Sequence, residues 1–217
     1  MDAPTELRAQ VLLFDMDGTL VDSAAIVEDC WRRFASRHGL DAGAILAVSS
    51  GRPTIEVIAQ FATPGMDPAA ETARIEREEL DRTEGIREIP GSRRLLESLD
   101  PGRWAVVTSA PRELARRRLV AAGLPVPQVL VGADDVTAGK PDPQGYRLAA
   151  EALGADPGEA VVFEDAEAGL LAGRAAGAAA VVVGGRTGGA ADGLPRLADF
   201  RGVTVTAAGS RLRVVLG

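Results

Sequence analysis

The feature that most constrains the fold is a short apolar run that ends in two aspartates and a glycine. Four apolar residues, Val11 to Phe14, precede the segment Asp15-Met16-Asp17-Gly18. A continuous apolar run of this length predicts a strand that is buried on both faces. Because Asp and Gly are poor strand residues, the strand should end here and the backbone should turn. Both carboxylates would then lie at the carboxyl edge of a sheet, where open α/β folds bind ligands.

Two other interpretations of this segment have to be weighed. Asp-Gly is ordinary turn chemistry, so the aspartates could simply form a turn. A calcium loop also begins with alternating aspartates, but it needs further oxygen ligands and a closing Glu between two helices. A strand precedes this segment and no such series follows it, which excludes the calcium loop. The plain turn remains open until other parts of the chain supply partners for the aspartates.

The order of the predicted elements indicates an α/β fold. Apolar residues at helical spacing from Ser23 to His38 predict a helix, and three further helices are predicted up to residue 83, with no convincing strand before about Arg87. After Pro90, helices alternate with short strands, at residues 104–108, 129–131, 160–163 and 179–183. This alternation predicts a parallel sheet with right-handed crossovers. The fold class is therefore α/β, a Rossmann-like parallel-sheet core (residues 1–22 and 88–217) with an inserted all-helical cap domain (residues 23–87).

Two segments have a predicted structure but no predicted role in catalysis or binding. The helix expected at residues 69–83 carries charges of alternating sign, which is typical of a solvated helix face. Near the end of the chain, residues 203–205 and 212–215 are expected to form edge strands or a hairpin.

Charge and composition exclude several function classes. A net charge of −7 argues against general affinity for nucleic acid, and 46% hydrophobic with 25% charged residues is typical of a globular protein. No apolar run approaches the roughly 20 residues that span a bilayer. The stretch Met1 to Glu6 lacks the pattern of a signal peptide, so the sequence predicts a cytoplasmic protein, which we expect to be a monomer.

The single cysteine and the single histidine point away from other catalytic chemistries. Cys30 alone excludes an intrachain disulfide and a cysteine metal cluster, and its place in a predicted helix favours a buried structural thiol. His38 is expected at the end of that helix, where a positively polarised side chain is favourable. A Ser-His-Asp triad would depend entirely on His38, and the structural role is favoured instead.

Polar residues follow three later segments of the predicted core. Thr108 and Ser109 end a strand just before a helix, which could seat a phosphate or simply cap that helix. Lys140 lies in a proline-flanked loop that restricts its freedom, although most lysines are merely exposed. Glu164 and Asp165 end another apolar strand. Acidic groups that converge at one sheet edge repel one another unless a cation lies among them, and Mg²⁺ suits an all-oxygen site.

Four segments in order resemble the motifs of the haloacid dehalogenase-like superfamily of phosphohydrolases. Phe14 to Leu20 resembles motif I, and Val106-Val107-Thr108-Ser109 resembles motif II. The Gly139-Lys140-Pro141-Asp142-Pro143 loop resembles motif III, and Glu164 to Gly169 resembles motif IV. The resemblance extends over residues 11–183 and implies a cap placed directly after motif I.

This resemblance implies a role for each motif residue. Asp15 would be the nucleophile and Asp17 the general acid/base, while Lys140 would bridge the nucleophile and the phosphate. Thr108 would hold the phosphoryl group and Ser109 would contribute its backbone N–H. The implied Mg²⁺ ligands are Asp15, the backbone carbonyl of Asp17 and Asp165, with Glu164 acting through a metal-bound water.

The implied activity is that of a Mg²⁺-dependent phosphatase acting through an aspartyl-phosphate intermediate. The core motifs look most like those of phosphatases for small sugar phosphates and glycerol phosphate, so the expected partner is a small phosphorylated metabolite. Arg52 lies where cap specificity residues occur in that branch and would contact substrate, although an exposed loop arginine is equally compatible with the sequence. A phosphomutase of the β-phosphoglucomutase kind and a non-catalytic phosphometabolite-binding module remain alternatives.

Overall fold

The computed structural model describes residues 5–217. Residues 1–4, which begin the predicted core segment and the stretch expected to lack a signal peptide, lie outside the described residues. The strands of the described chain are β1 (Thr5–Ala9), β2 (Val11–Phe14), β3 (Val21–Asp22), β4 (Arg87–Glu88), β5 (Trp104–Val107), β6 (Val129–Val131), β7 (Ala160–Glu164), β8 (Ala179–Val183), β9 (Arg196–Leu197), β10 (Thr204–Ala208) and β11 (Arg211–Leu216). The α-helices are α1 (Ala24–His38), α2 (Ala42–Ser49), α3 (Thr54–Phe61), α4 (Pro68–Leu80), α5 (Ser92–Glu97), α6 (Arg112–Ala121), α7 (Gln144–Ala152) and α8 (Glu167–Ala176).

A parallel sheet of six strands forms the centre of the molecule, in the order β6-β5-β2-β7-β8-β9. The chain runs from β2 outward to β5 and β6, then crosses back to β7 on the other side of β2. The carboxyl ends of β2, β5 and β7 therefore meet where the direction of winding reverses, which is the position where doubly wound sheets bind ligands. The predicted parallel-sheet core is confirmed.

Strand β2 is buried on both faces, as its unbroken apolar run predicts. Leu12 and Phe14 pack on one face of the sheet, where the rings of Phe14 and Phe163 stack with centroids 4.9 Å apart. Val11 and Leu13 pack on the opposite face. Burial on both faces fixes β2 in the middle of the sheet, and this fixes the position of the aspartates that follow it.

A segment of four helices, α1 to α4, is inserted between β2 and the rest of the core. The chain enters and leaves it through the short antiparallel pair of β3 and β4, which aligns Val21 with Glu88. Gly39 ends α1 in the left-handed conformation with φ 65°, directly after His38, as expected from the sequence. Cys30 is buried in α1, and burial raises the pKa of its thiol to about 11, which suits a structural residue.

The structure corrects the expectation for α4. This helix ends at Leu80 rather than at residue 83, and one of its faces is not solvated. Ile75 and Glu79, four residues apart, are both buried. The pattern of alternating charges applies only to the outer side of α4. Residues four apart share one helix face, and the face that carries Ile75 and Glu79 packs inward.

The end of the chain forms a second, smaller sheet. Strands β10 and β11 make the predicted hairpin, and β11 also pairs with β1, a strand that the sequence pattern does not predict. Only Ala9 is buried in β1, so its pattern carries little of the periodic apolar signal that identifies a strand. Among the described residues, no helix is both long and apolar enough to cross a membrane.

Candidate active site

Asp15 and Lys140 form the centre of the candidate site. Asp15 directly follows β2, and its Oδ1 atom accepts a hydrogen bond of 2.5 Å from the Nζ atom of Lys140. The same ammonium donates to Glu164 Oε1 at 2.6 Å and to the carbonyl oxygen of Val107 at 3.1 Å. Lys140 is only 5% exposed. A buried lysine with three acceptors is held as a fixed positive charge.

Glu164 is held in place by several donors and by a glycine that leaves room for it. Its Oε1 atom also accepts from the Tyr146 hydroxyl at 3.0 Å, and its Oε2 atom accepts from the backbone N–H of Ala166 at 3.0 Å. A Cβ atom on Gly169 would lie 1.6 Å from Glu164 Oε1, so a larger residue there would displace the carboxylate. The predicted contact of Glu164 with a metal through water stays a prediction.

Asp165 completes a cluster of three carboxylates. Oxygen atoms of Asp15, Glu164 and Asp165 all lie within 4.8 Å of one another. Asp165 accepts a hydrogen bond from Thr19 Oγ1 at 3.2 Å. Gly18 permits this approach, because its φ of 85° disfavours a side chain and a Cβ atom there would lie 2.3 Å from Asp165 Oδ2.

The electrostatics of this cluster favour an added cation. Burial, and then repulsion by Glu164, raise the pKa of Asp15 well above its ordinary value and that of Asp165 to about 7, although Lys140 opposes both shifts. Burial alone would lower the pKa of Lys140, but attraction to Asp15 and Glu164 raises it overall. One ammonium thus faces three carboxylates, and hard oxygen donors of this kind fit Mg²⁺. The donor set of the cluster is therefore compatible with the predicted metal.

Asp17 is held by residues from two other parts of the chain. Its Oδ1 atom accepts from Ser23 Oγ at 2.5 Å, and its Oδ2 atom accepts from Arg118 Nη1 at 2.7 Å. The Nη2 atom of Arg118, in α6, lies 3.3 Å from Glu79 Oε1, in α4. The motifs in the sequence identify Asp17, but none of them contains its partners Ser23 and Arg118. Glu79 and Tyr146, which contact Arg118 and Glu164, also lie outside the motifs.

The residues of the predicted phosphate seat line the same cavity as the two aspartates of motif I. This cavity, of about 310 Å³, is bordered by Asp15, Asp17, Thr108 and Ser109. Thr108 Oγ1 accepts from the backbone N–H of Ala110 at 3.1 Å, which leaves its hydroxyl hydrogen free to be donated. Ser109 Oγ donates to the carbonyl oxygen of Gly51 at 2.9 Å and so connects the core to the helical segment.

Arg52 also borders this cavity, but its guanidinium has other partners. It donates to Gln60 Oε1 at 2.8 Å, and its Nη2 atom lies 3.7 Å from Glu56 Oε2. The structure thus brings together the residues predicted at the sheet edge and places Arg52 on the wall formed by the helical segment.

A doubly wound parallel sheet with an acidic cluster and a buried lysine at its carboxyl edge defines a class of α/β proteins with a charged ligand site at that edge. Comparison with known proteins agrees with this class. Residues 9–177 match the family described as haloacid dehalogenase-like hydrolases. The chain therefore belongs to the haloacid dehalogenase-like hydrolases.

Curated relatives make the class of reaction more specific. Hexitol phosphatase A of Escherichia coli is 45% identical over 181 residues, which cover 82% of this chain and 84% of that protein. Glycerol-1-phosphate phosphohydrolase 2 of Saccharomyces cerevisiae is 36% identical over 186 residues, which cover 80% and 74%. The chain is a phosphoric monoester hydrolase.

Solved structures show the same architecture. A hydrolase from Pseudomonas syringae superposes with a TM-score of 0.76 at 27% identity, over 86% of this chain and 91% of that one. A mutant of CbbY from Rhodobacter sphaeroides, in complex with xylulose-1,5-bisphosphate, has a TM-score of 0.74 at 26% identity, over 88% and 95%.

Proposed function

We propose that the chain is a Mg²⁺-dependent phosphatase that hydrolyses small phosphate monoesters of the sugar-phosphate or glycerol-phosphate type through an aspartyl-phosphate intermediate. The observation that carries this proposal is the contact between Asp15 and Lys140. A nucleophilic carboxylate needs a nearby fixed positive charge that offsets its repulsion from the phosphate, and Lys140 Nζ is 2.5 Å from Asp15 Oδ1. The named activities of the hexitol and glycerol-phosphate relatives support the substrate class.

In the first step an oxygen of Asp15 attacks the phosphorus atom, and the bond from phosphorus to the ester oxygen breaks. Asp17 donates its proton to that departing oxygen, so that the leaving group departs as a neutral alcohol. Thr108 donates its hydroxyl hydrogen to a phosphoryl oxygen, and Lys140 balances the charge between the nucleophile and the phosphate.

In the second step Asp17 accepts a proton from water, and the water oxygen attacks the phosphorus of the aspartyl-phosphate. The bond between the Asp15 oxygen and phosphorus breaks, so that inorganic phosphate is released and the free Asp15 carboxylate is restored. Asp15, Asp165 and the backbone carbonyl of Asp17 would hold Mg²⁺, with Glu164 acting through water. When bound, this ion supplies positive charge that orients the phosphoryl oxygens and stabilises charge on them.

We further propose that residues 23–87 act as a cap over residues 1–22 and 88–217. Residues of α1, α2, α4 and the α2–α3 loop border the cavity above the sheet edge, and the hydrogen bond from Ser109 to Gly51 joins the two parts beside it. A cap over such a cavity would enclose a small substrate away from bulk water.

Release of inorganic phosphate tests this function directly. Wild-type protein is offered phosphates of hexitols, hexoses, glycerol and glycolate, first with a chelator and then with Mg²⁺, and isomerised sugar phosphate is measured in parallel. We expect phosphate release that requires Mg²⁺, with Asp15→Asn reducing turnover by about 10³-fold or more. Asp22→Asn, a change at an exposed aspartate in β3, is the matched control. Wild-type turnover in Asp15→Asn would remove Asp15 as the nucleophile, and isomerisation without phosphate release would indicate a mutase.

A further inference from the structure

Two buried charges in the cavity are not used by the proposed reaction. Arg118 and Glu79 border the same cavity as Asp15 and Asp17, and their side chains are 4% and 8% exposed. They come from different parts of the chain, Glu79 from the inserted helices and Arg118 from the core. Neither of them belongs to the motifs found in the sequence.

This pair is incompletely satisfied within the described part of the chain. Arg118 Nη1 donates to Asp17, but its Nε and Nη2 atoms have no hydrogen-bond partner there, and Glu79 contributes only the 3.3 Å ionic contact. A buried ion pair whose hydrogen-bonding atoms lack partners stabilises a fold poorly compared with apolar packing. Its position beside Asp17 therefore points to a ligand that supplies hydrogen-bond donors and acceptors.

The charge around this end of the cavity restricts what that ligand can be. Asp17, Glu79 and Glu28 border the cavity there, while Arg118 is shared between two carboxylates and Arg52 is engaged by Gln60 and lies near Glu56. Three carboxylates thus face two guanidinium groups on this wall, and Glu28 is itself paired with Arg32. A leaving group that carries a carboxylate or a second phosphate would be repelled, whereas hydroxyl groups both donate to carboxylates and accept from a guanidinium.

We propose that Glu79, positioned by Arg118, accepts hydrogen bonds from hydroxyl groups of the leaving group, so that the enzyme selects phosphate esters of neutral polyols. This inference rests on the proposed phosphatase function and makes its substrate class more specific. Arg118, which lies between Asp17 and Glu79, would hold the two carboxylates at a fixed separation, so that the hydroxyl-bearing carbon chain lies alongside them in the cavity. Trp31 and Val27 provide apolar wall for the carbon atoms of that chain.

The test compares leaving groups that differ in hydroxyl groups and in charge. Sorbitol 6-phosphate carries a neutral polyol, propyl phosphate carries no hydroxyl on its leaving group, and phosphoglycolate carries a carboxylate. At pH 8 and saturating Mg²⁺, Glu79→Gln should lower the ratio of kcat/KM for sorbitol 6-phosphate over propyl phosphate by about 10- to 100-fold, because a hydrogen bond to a charged group is lost. Glu78→Gln, the neighbouring residue that pairs with Arg37 instead, should leave this ratio unchanged.

Each outcome separates this inference from the proposed function. An equal fall in kcat/KM for both esters in Glu79→Gln would mean a structural role for Glu79 and would overturn the inference while leaving the phosphatase activity established. Wild-type protein alone gives a second test, since it should prefer sorbitol 6-phosphate to phosphoglycolate. A preference for phosphoglycolate would overturn the inference even if Glu79→Gln does not fold. Absence of phosphate release from these three esters and from the hexose and glycerol phosphates would refute the proposed function itself.

Discussion

Replacing Lys140 by methionine should strongly destabilise the protein, because it removes the only ammonium from a buried acidic cluster. Lys140 donates to Asp15, Glu164 and the Val107 carbonyl, and it is 5% exposed. In Lys140→Met, Glu164 keeps the donors Tyr146 and Ala166, but Asp15 loses its cationic partner. Removal of one member of a buried ion pair costs about 3–5 kcal/mol, and we expect a loss of this size in the free energy of unfolding at pH 7.5.

The pH dependence of this loss identifies its cause. Lys140 lowers the pKa of Asp15, so its removal raises that pKa further above the value in the unfolded chain. A native carboxylate with a raised pKa binds more protons than the unfolded one, so stability falls as pH rises between the two values. The deficit of Lys140→Met should therefore be smaller at pH 5.5 than at pH 7.5.

Urea unfolding in the presence of EDTA, followed by tryptophan fluorescence, measures both effects. The matched control is Arg117→Met, which removes a cation from an exposed pair with Glu113 and should change the free energy of unfolding by less than about 1 kcal/mol. A deficit in Lys140→Met as small as that of the control would refute the reasoning. So would a large deficit that stays constant from pH 5.5 to pH 7.5.

Two further predictions concern Glu79 and Gly18. Burial raises the pKa of Glu79 to about 7 against an ordinary value of 4.5. The free energy of unfolding of the wild type, measured in urea, should therefore fall as pH rises between these values, and it should fall less steeply in Glu79→Gln. An equally steep fall in both proteins would contradict the raised pKa. Gly18→Ala should lower the free energy of unfolding by about 1–3 kcal/mol or more and reduce phosphate release, because it combines a φ of 85° with a contact to Asp165. Gly39→Ala, at φ 65° with no atom within 4 Å, carries only the backbone strain, so an equal effect of both changes on thermal unfolding and activity would argue against the contact.

The core and the motif residues were predictable because their signals are local. Each of β2, β5 and β7 is an unbroken buried run, and Asp15, Thr108 and Glu164 lie at or just beyond the ends of these strands. Parallel strands bring their carboxyl ends to one edge, so the topology alone places these groups together.

The partners of Asp17 were not predicted because they depend on which side of a helix packs inward. Arg118 is the last of three consecutive arginines, and only its position four residues after Leu114 and three after Ala115 puts it on the buried face of α6. Glu79 lies four residues after Ile75 in the same way. Helical spacing could have identified both residues as buried, but only the fold shows that these two faces meet beside Asp17.

The burial of Lys140 has a practical consequence, because Lys140 is the only lysine in the chain. All the other residues counted as Lys or Arg are arginines. Amine-selective reagents therefore have a single side-chain target, and it lies inside the candidate active site. The rate of acylation of Lys140 therefore measures how often the native protein opens and exposes this side chain to bulk solvent. Phosphate analogues that keep the candidate site closed should lower this acylation rate, and the measurement needs no added label.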